Sequence, residues 1–308
     1  MCLESYDFMT HQNPLLALGR LDGRLTHSPA RKAWSIRARF EGAANVACNA
    51  GVPTDANAIE GWVAGAGNPP RICQGLNDPI GVAAIVYFFF VSLDTVTSGG
   101  DREAKRLLRN LLDVETEVST WSGADLVQFG PLWRAMSKVA EEPGLEPSIA
   151  ALGERLAQMS KLVTRSADHA ELVATLPGGR TITFNREYPR AWMVAAMIPV
   201  LLRRSGLSAN LLPSLVPRCK FLCSSAAEWS ELLTQSLSDQ ASFAGRTLER
   251  MESEMAQLRV RYERTSRSRL AEVAELRLAL PSLTRRKLAI AVNSTPAGAG
   301  YLLRELDR

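Results

Sequence analysis

The stretch Leu283–Leu306 reads LTRRKLAIAVNSTPAGAGYLLREL, and its apolar spacing predicts two short helices joined by a tight turn. The inward face of the first helix holds three apolar residues, Leu288, Ala289 and Val292. Asn293 follows where the chain must turn sharply, because Asn tolerates the left-handed conformation better than most residues. Thr295 is a favourable N-cap and Pro296 a favourable first helical residue, so the second helix begins there. Two such helices form a helix-turn-helix, whose second helix can lie in the DNA major groove.

The side chains around this turn are the candidate DNA contacts. They are Arg285, Arg286, Lys287, Thr295, Ala297, Tyr301 and Arg304, and Arg267, Arg269 and Arg277 on the preceding helix extend the basic character. Basic residues meet phosphate, Ala297 can touch a thymine methyl, and only Arg304 can pair with guanine. The outward face of the second helix has no Asn or Gln for adenine. We therefore expect weak, salt-sensitive binding.

The charge distribution agrees with an anionic partner. The whole chain has a formal charge of +4. Residues 246–308 carry 13 Lys and Arg against 8 Asp and Glu, so the basic character belongs to this C-terminal part. A solvated face of a long helix would show a similar excess.

A long helix is predicted before this region, because no proline interrupts residues 226–280. Its apolar residues alternate in steps of four and three, as in a heptad stripe: Leu237, Ala241, Ala244, Leu248, Met251, Met255, Leu258 and Tyr262. The stripe packs either on the chain's own core or on a partner helix, as in a homodimer. In the second alternative the partner contacts are Leu237, Leu248, Met251, Met255, Leu258 and Tyr262.

The remaining composition predicts no catalytic, metal or membrane function. Three scattered histidines and five scattered cysteines predict no catalytic group, no metal site, no cofactor and no disulfide framework. The apolar run Ile80–Val91 is too short to span a bilayer, which needs about 20 residues, and predicts a buried core helix. The N-terminus has no basic segment followed by an apolar one, so we expect no signal peptide and a cytoplasmic location.

Two segments carry a resemblance to known proteins. Leu21-Asp-Gly-Arg-Leu25 and Arg37-Ala-Arg-Phe-Glu-Gly-Ala-Ala44 are similar to the helical N-terminal region of Fic-like proteins. Together with residues 191–213 and 283–306, they more closely resemble an uncharacterised bacterial family, often plasmid-borne. That family joins a domain of unknown function to a C-terminal helix-turn-helix.

The resemblance to Fic-like proteins implies nucleotidyl transfer only if their catalytic loop is present. That loop needs a His followed by Pro-Phe and a Gly-Asn pair, whereas His11, His27 and His169 precede other residues. Catalysis is therefore not carried over. The resemblance also implies a strand-rich wing after the second helix, which the sequence given does not reach. This again favours DNA binding with little specificity for the base sequence.

These observations predict a mostly α-helical protein with three parts. Residues 1–222 form a helical domain of unknown function, residues 223–266 a long, coiled-coil-like helix, and residues 267–308 the helix-turn-helix. The preferred function is a DNA-binding regulator of transcription or of a plasmid or mobile element. The alternatives are a non-enzymatic scaffold that uses the heptad stripe, and an enzyme whose site lies in the N-terminal domain. A pocket that gathers His169 with carboxylates would favour the enzyme.

Overall fold

Helices make up most of the chain in a computed structural model, which describes residues 13–68, 80–93, 123–165, 171–175, 181–185, 192–219, 223–262 and 269–307. The first eight helices are α1 (Pro14–His27), α2 (Arg31–Asn49), α3 (Ala56–Ala64), α4 (Gly81–Leu93), α5 (Gly123–Glu141), α6 (Ile149–Arg165), α7 (Trp192–Ala196) and α8 (Ile198–Arg204). A 3-10 turn at Pro213–Leu215 leads to α9 (Ala226–Tyr262), α10 (Leu270–Ala279), α11 (Arg285–Ala291) and α12 (Pro296–Asp307). Strands β1 (Glu171–Thr175) and β2 (Thr181–Asn185) pair antiparallel, with Val173 opposite Thr183.

Helix α2 lies at the centre of the fold and contacts α3, α4, α7, α9, α10 and the 3-10 turn. It is buried on several sides because it combines small residues with Trp34, Ile36 and Phe40. At Gly42 an added Cβ would overlap the carbonyl oxygen of Pro213, so this position lets the 3-10 turn pack directly on the helix. The apolar helix α4 packs on α2 and is almost wholly buried, as the sequence predicts.

The 37-residue helix α9 is a core helix of the chain itself. Its apolar stripe packs against α1 and α6, and the stripe residues from Leu237 to Met255 are all buried. The indole nitrogen of Trp229 donates to Ser160 of α6 at 3.1 Å. At Gly153 of α6 an added Cβ would overlap the Ser230 hydroxyl, so the two helices lie in close contact.

This packing accounts for the heptad stripe without a partner helix. Leu237, Leu248, Met251 and Met255 are covered by the chain's own helices, so they are not exposed to a second chain. Leu258 is half-buried against the same core, and the side chain of Tyr262 lies outside the described residues. A heptad period specifies a narrow apolar face, and that face packs equally well on a chain's own helices.

One hydrophobic core extends across the boundaries drawn from the sequence at residues 222 and 266. It includes residues of α2, α6, α9, α10, α11 and α12. Helix α10 contacts both α2 and α9, and α12 contacts α9 and α10. In the part of the chain that the structure describes, the long helix and the C-terminal helices therefore share this core. Among the described residues, no helix has the combined length and apolar character needed to cross a membrane.

Candidate nucleic-acid interface

Helix α12 begins at Pro296, where the sequence predicts, and the turn before it follows the end of α11 at Ala291. The hydroxyl of Thr284 accepts from the amide of Lys287 at 3.4 Å and caps α11, and that of Thr295 accepts from the amide of Gly298 at 3.1 Å and caps α12. Asn293 adopts a positive φ of 46° in the turn between them. The side chains that hold the two helices together are buried: Leu288, Ala289, Val292, Ala299 and Leu306. The side chains on the other sides of these two helices therefore face outward.

The end of α3 holds the start of α11. The carboxylate of Glu60, a buried residue, accepts from the amide of Ser282 at 2.8 Å. The carbonyl of Ala64 accepts both from the amide and from the hydroxyl of Thr284, each at 3.1 Å. These contacts attach the C-terminal helix pair to the N-terminal half of the chain.

The aliphatic part of the Lys287 side chain also contributes to this attachment. Gly65 closes α3 in the left-handed region, with φ at 79°, and a Cβ there would lie 2.6 Å from Cγ of Lys287. The stem of Lys287 therefore packs over Gly65, and burial lowers the pKa of its ammonium group. Of the three basic residues that begin α11, Lys287 is the one least available to a ligand.

Arg285 and Arg286 are exposed at the start of α11, and Arg304 is exposed on α12. In the part of the chain that the structure describes, none of the three makes a hydrogen bond or an ion pair. A Cβ at Gly300 would lie 3.3 Å from Cδ of Arg285, so the Arg285 side chain crosses α12 there. Arg304 lies one turn further along α12, on the same side as Gly300. The two helices thus present uncompensated positive charge side by side.

The outward face of α12 carries few hydrogen-bonding groups. Ala297, Tyr301 and Arg304 follow at steps of four and three, and all are exposed. Thr295 is exposed, but its hydroxyl already accepts from Gly298. The exposed side chain of Ile290 adds apolar surface on α11. This face can make van der Waals contacts and one bidentate hydrogen bond, which is a small set for reading bases.

The other predicted residues lie apart from this face or outside the description. Arg269, the N-cap residue of α10, pairs with Glu272 of that helix at 3.3 Å, and Arg277 is half-buried. Arg267 and His169 lie outside the described residues.

Within the described ranges, no three His, Cys, Asp or Glu side chains gather as a metal site requires. Burial raises the pKa of the Cys219 thiol to about 11.

Sequence reasoning missed the part that α3 plays. Glu60 is the only charged residue in the helix sequence ANAIEGWVA, with Ile59 directly before it and Trp62 two residues after it. A single acid among apolar residues is a signal of a buried carboxylate with a specific donor. The donor, the amide of Ser282, is 222 residues away along the chain and has no sequence signature of its own.

No family model matches this chain, and no curated protein or solved structure shows a match to it. The resemblance to the Fic-like and helix-turn-helix family therefore stays a prediction that rests on the residues quoted above.

Proposed function

We propose that this protein binds DNA through α11 and α12, with contacts mainly to the phosphate backbone. The observation that carries the proposal is the set of exposed arginines Arg285, Arg286 and Arg304, which have no acidic partner among the described residues. Arginine binds phosphate through two parallel hydrogen bonds, so an uncompensated group of arginines is suited to a polyphosphate surface.

The composition of α12 supports low sequence specificity. Its outward face offers one guanidinium, one phenol and one methyl group, at Arg304, Tyr301 and Ala297. Phosphate contacts fix position and supply affinity, whereas base contacts supply specificity. Binding should then depend strongly on salt and only slightly on sequence. The role as a regulator of transcription or of a plasmid or mobile element follows from the family resemblance alone.

The test is a titration of the full chain into a labelled duplex of about 30 base pairs, by fluorescence anisotropy at salt concentrations from about 50 to about 200 mM. We expect the double variant Arg285→Ala, Arg286→Ala to bind more weakly to every duplex. Each lost phosphate contact should reduce the slope of log affinity against log salt by about 1. Lys287 is left unchanged because its stem packs on Gly65.

The matched control is the double variant Arg20→Ala, Arg134→Ala, which removes the same charge from exposed positions on α1 and α5. It should keep both the affinity and the salt slope of the unchanged protein. Equal loss in the two double variants would mean a non-specific effect of net charge. If no duplex showed an increase in anisotropy at low salt, the result would contradict DNA binding and would favour the scaffold alternative.

A further inference from the structure

A polar groove lies beside α9, and it includes none of the residues of α11 and α12. It has a volume of about 660 Å³ and is lined by α2, the start of α3, the 3-10 turn with the residues after it, and α9. Pockets for small molecules commonly have volumes of about 300–1,000 Å³. The groove is therefore large enough for a small organic ligand.

The groove has two chemically different ends. At one end, Asn45 of α2 and Gln240 of α9 both donate to the carbonyl of Val216 at 3.1 Å, which holds the two helices together. At the other end lie Arg37 of α2 and Arg250 of α9, and the charges of both act on the carboxyl group of Glu41. Helices α2 and α9 therefore run antiparallel to each other along the groove. From residue 37 to residue 45, at 1.5 Å per residue, its length is about 12 Å.

Buried polar atoms on the floor of the groove have no partner among the described residues. Ser214 is only 5% exposed, and its hydroxyl makes no hydrogen bond there. The side-chain carbonyl of Gln240 is likewise buried and unbonded. Buried polar groups in folded proteins are nearly always hydrogen-bonded, because a buried donor or acceptor without a partner loses its hydration and gains nothing in return. These two atoms are therefore candidates for bonds to a ligand.

The charged side chains of the groove are also largely unused. Among the residues described, Glu41 makes no hydrogen bond or ion pair, and neither does Arg37. Arg250 reaches only Glu254, at 3.9 Å on its own helix. The remaining charges are on the rim: Arg218 donates to Asn45 at 2.8 Å, Asp55 caps α3, and Asp239 is exposed. Arg37 thus keeps its hydrogen-bond donors for an anion, and in the described part of the chain Arg250 has only the long contact to Glu254.

An exposed aromatic ring lies between the two ends. Phe243 follows Gln240 by three residues on α9 and precedes Thr247 by four, and its side chain is 56% exposed. The guanidinium of Arg246 lies 5.9 Å from the ring centroid. A planar ring of a ligand could stack on this side chain, because aromatic rings pair favourably in offset-stacked arrangements.

We propose that this groove binds a small molecule that has a planar, hydrogen-bonding ring and an anionic group. The anionic group lies between Arg37 and Arg250, and the ring stacks on Phe243. Polar substituents of the ring form hydrogen bonds with the hydroxyl of Ser214 and with the side-chain carbonyl of Gln240. Glu41 accepts from a hydroxyl or amine of the ligand. Phosphate and carboxylate are both suitable anionic groups, because each forms paired hydrogen bonds with a guanidinium.

The test is isothermal titration calorimetry of the full chain with three probes: adenosine monophosphate, 4-aminobenzoate and inorganic phosphate. We expect saturable binding of adenosine monophosphate or of 4-aminobenzoate, and the probe that binds identifies the anionic group. Arg37→Ala should weaken that binding about tenfold or more, as expected for loss of a charge-assisted contact. Phe243→Ala should weaken it as well, and this residue is exposed enough to be replaced without loss of the fold.

The control variant is Arg20→Ala, which removes an exposed arginine from α1 and should leave binding unchanged. Circular dichroism of each variant shows that the fold is retained. The proposal is overturned if neither ring-bearing probe binds at millimolar concentration, or if Phe243→Ala binds as the unchanged protein does. Inorganic phosphate that binds as tightly as the ring-bearing probes would also overturn it, because the ring would then have no role.

Discussion

At the scale of single residues, Gly42 is the position where α2 and the 3-10 turn come closest. A Cβ added there would overlap the Pro213 carbonyl and lie 3.0 Å from the ring of Phe90. Both neighbours are fixed, one as backbone and the other as a buried ring. We expect Gly42→Ala to lower the free energy of unfolding by about 1–3 kcal/mol, as measured by urea denaturation.

Gly23 is the matched control, because it lies inside α1 with no heavy atom near the position of an added Cβ. Gly23→Ala should raise the free energy of unfolding by up to about 1 kcal/mol, since Ala favours the helix. If both substitutions had the same sign, the close approach at Gly42 would not explain its effect.

Glu41 predicts a dependence of stability on pH. Burial raises the pKa of its carboxyl above the ordinary 4.5, and the charges of Arg37 and Arg250 offset part of that shift. An acid with a raised pKa in the fold contributes stability below its unfolded pKa, and that contribution is lost as the pH rises through the folded pKa. Glu41→Gln should therefore become more stable relative to the unchanged protein as the pH rises above 4.5. Urea titrations across that range measure this difference, and a constant or falling difference would contradict the assignment.

At the scale of helices, Leu248 tests how α9 packs. Its side chain is wholly buried within the chain's own core. Leu248→Ala should cost about 2–5 kcal/mol of unfolding free energy by leaving a cavity. Sedimentation velocity should show the same molecular mass for the variant and the unchanged protein. A drop in mass for the variant would instead indicate that α9 packs on a second chain.

The junction between α3 and α11 depends on one buried carboxylate. Glu60→Ala removes the acceptor that the amide of Ser282 uses at 2.8 Å, and should cost about 1–3 kcal/mol in a urea titration. Glu60→Gln keeps a carbonyl oxygen in that position and should cost less. Equal losses for the two variants would mean that packing, and not this hydrogen bond, holds the junction.

At the scale of the whole molecule, the continuous core predicts that the C-terminal part does not fold alone. Leu270, Val273 and Ala274 of α10 are buried in the core that α10 shares with α2 and α9. Isolated helices shorter than about 12–15 residues are marginal in water. A peptide of residues 267–308 should therefore show little helix by circular dichroism. A cooperative thermal transition of this peptide would contradict the prediction.

Sequence patterns located parts of the candidate sites to different degrees. Thr295 and Pro296 mark the start of α12 through local backbone chemistry, so they could be identified without any tertiary information. The groove was missed, although its α9 residues form a stripe one position before the buried one: Ser236, Gln240, Phe243, Thr247 and Arg250. A polar stripe on a helix is usually solvated, and only the approach of α2 and the 3-10 turn encloses it.

From sequence alone it could be predicted that the chain is mostly helical, where α12 begins, and which face of α9 is apolar. These properties depend on spacing and capping within a few residues, so they are local. The tertiary structure alone decided that α1 and α6 cover that face, that Glu60 and Ala64 hold α11, and that a polar groove opens beside α9. Periodicity predicts which face of a helix is buried, but it does not identify the segment that packs against that face. Contacts between distant segments leave no pattern within either segment.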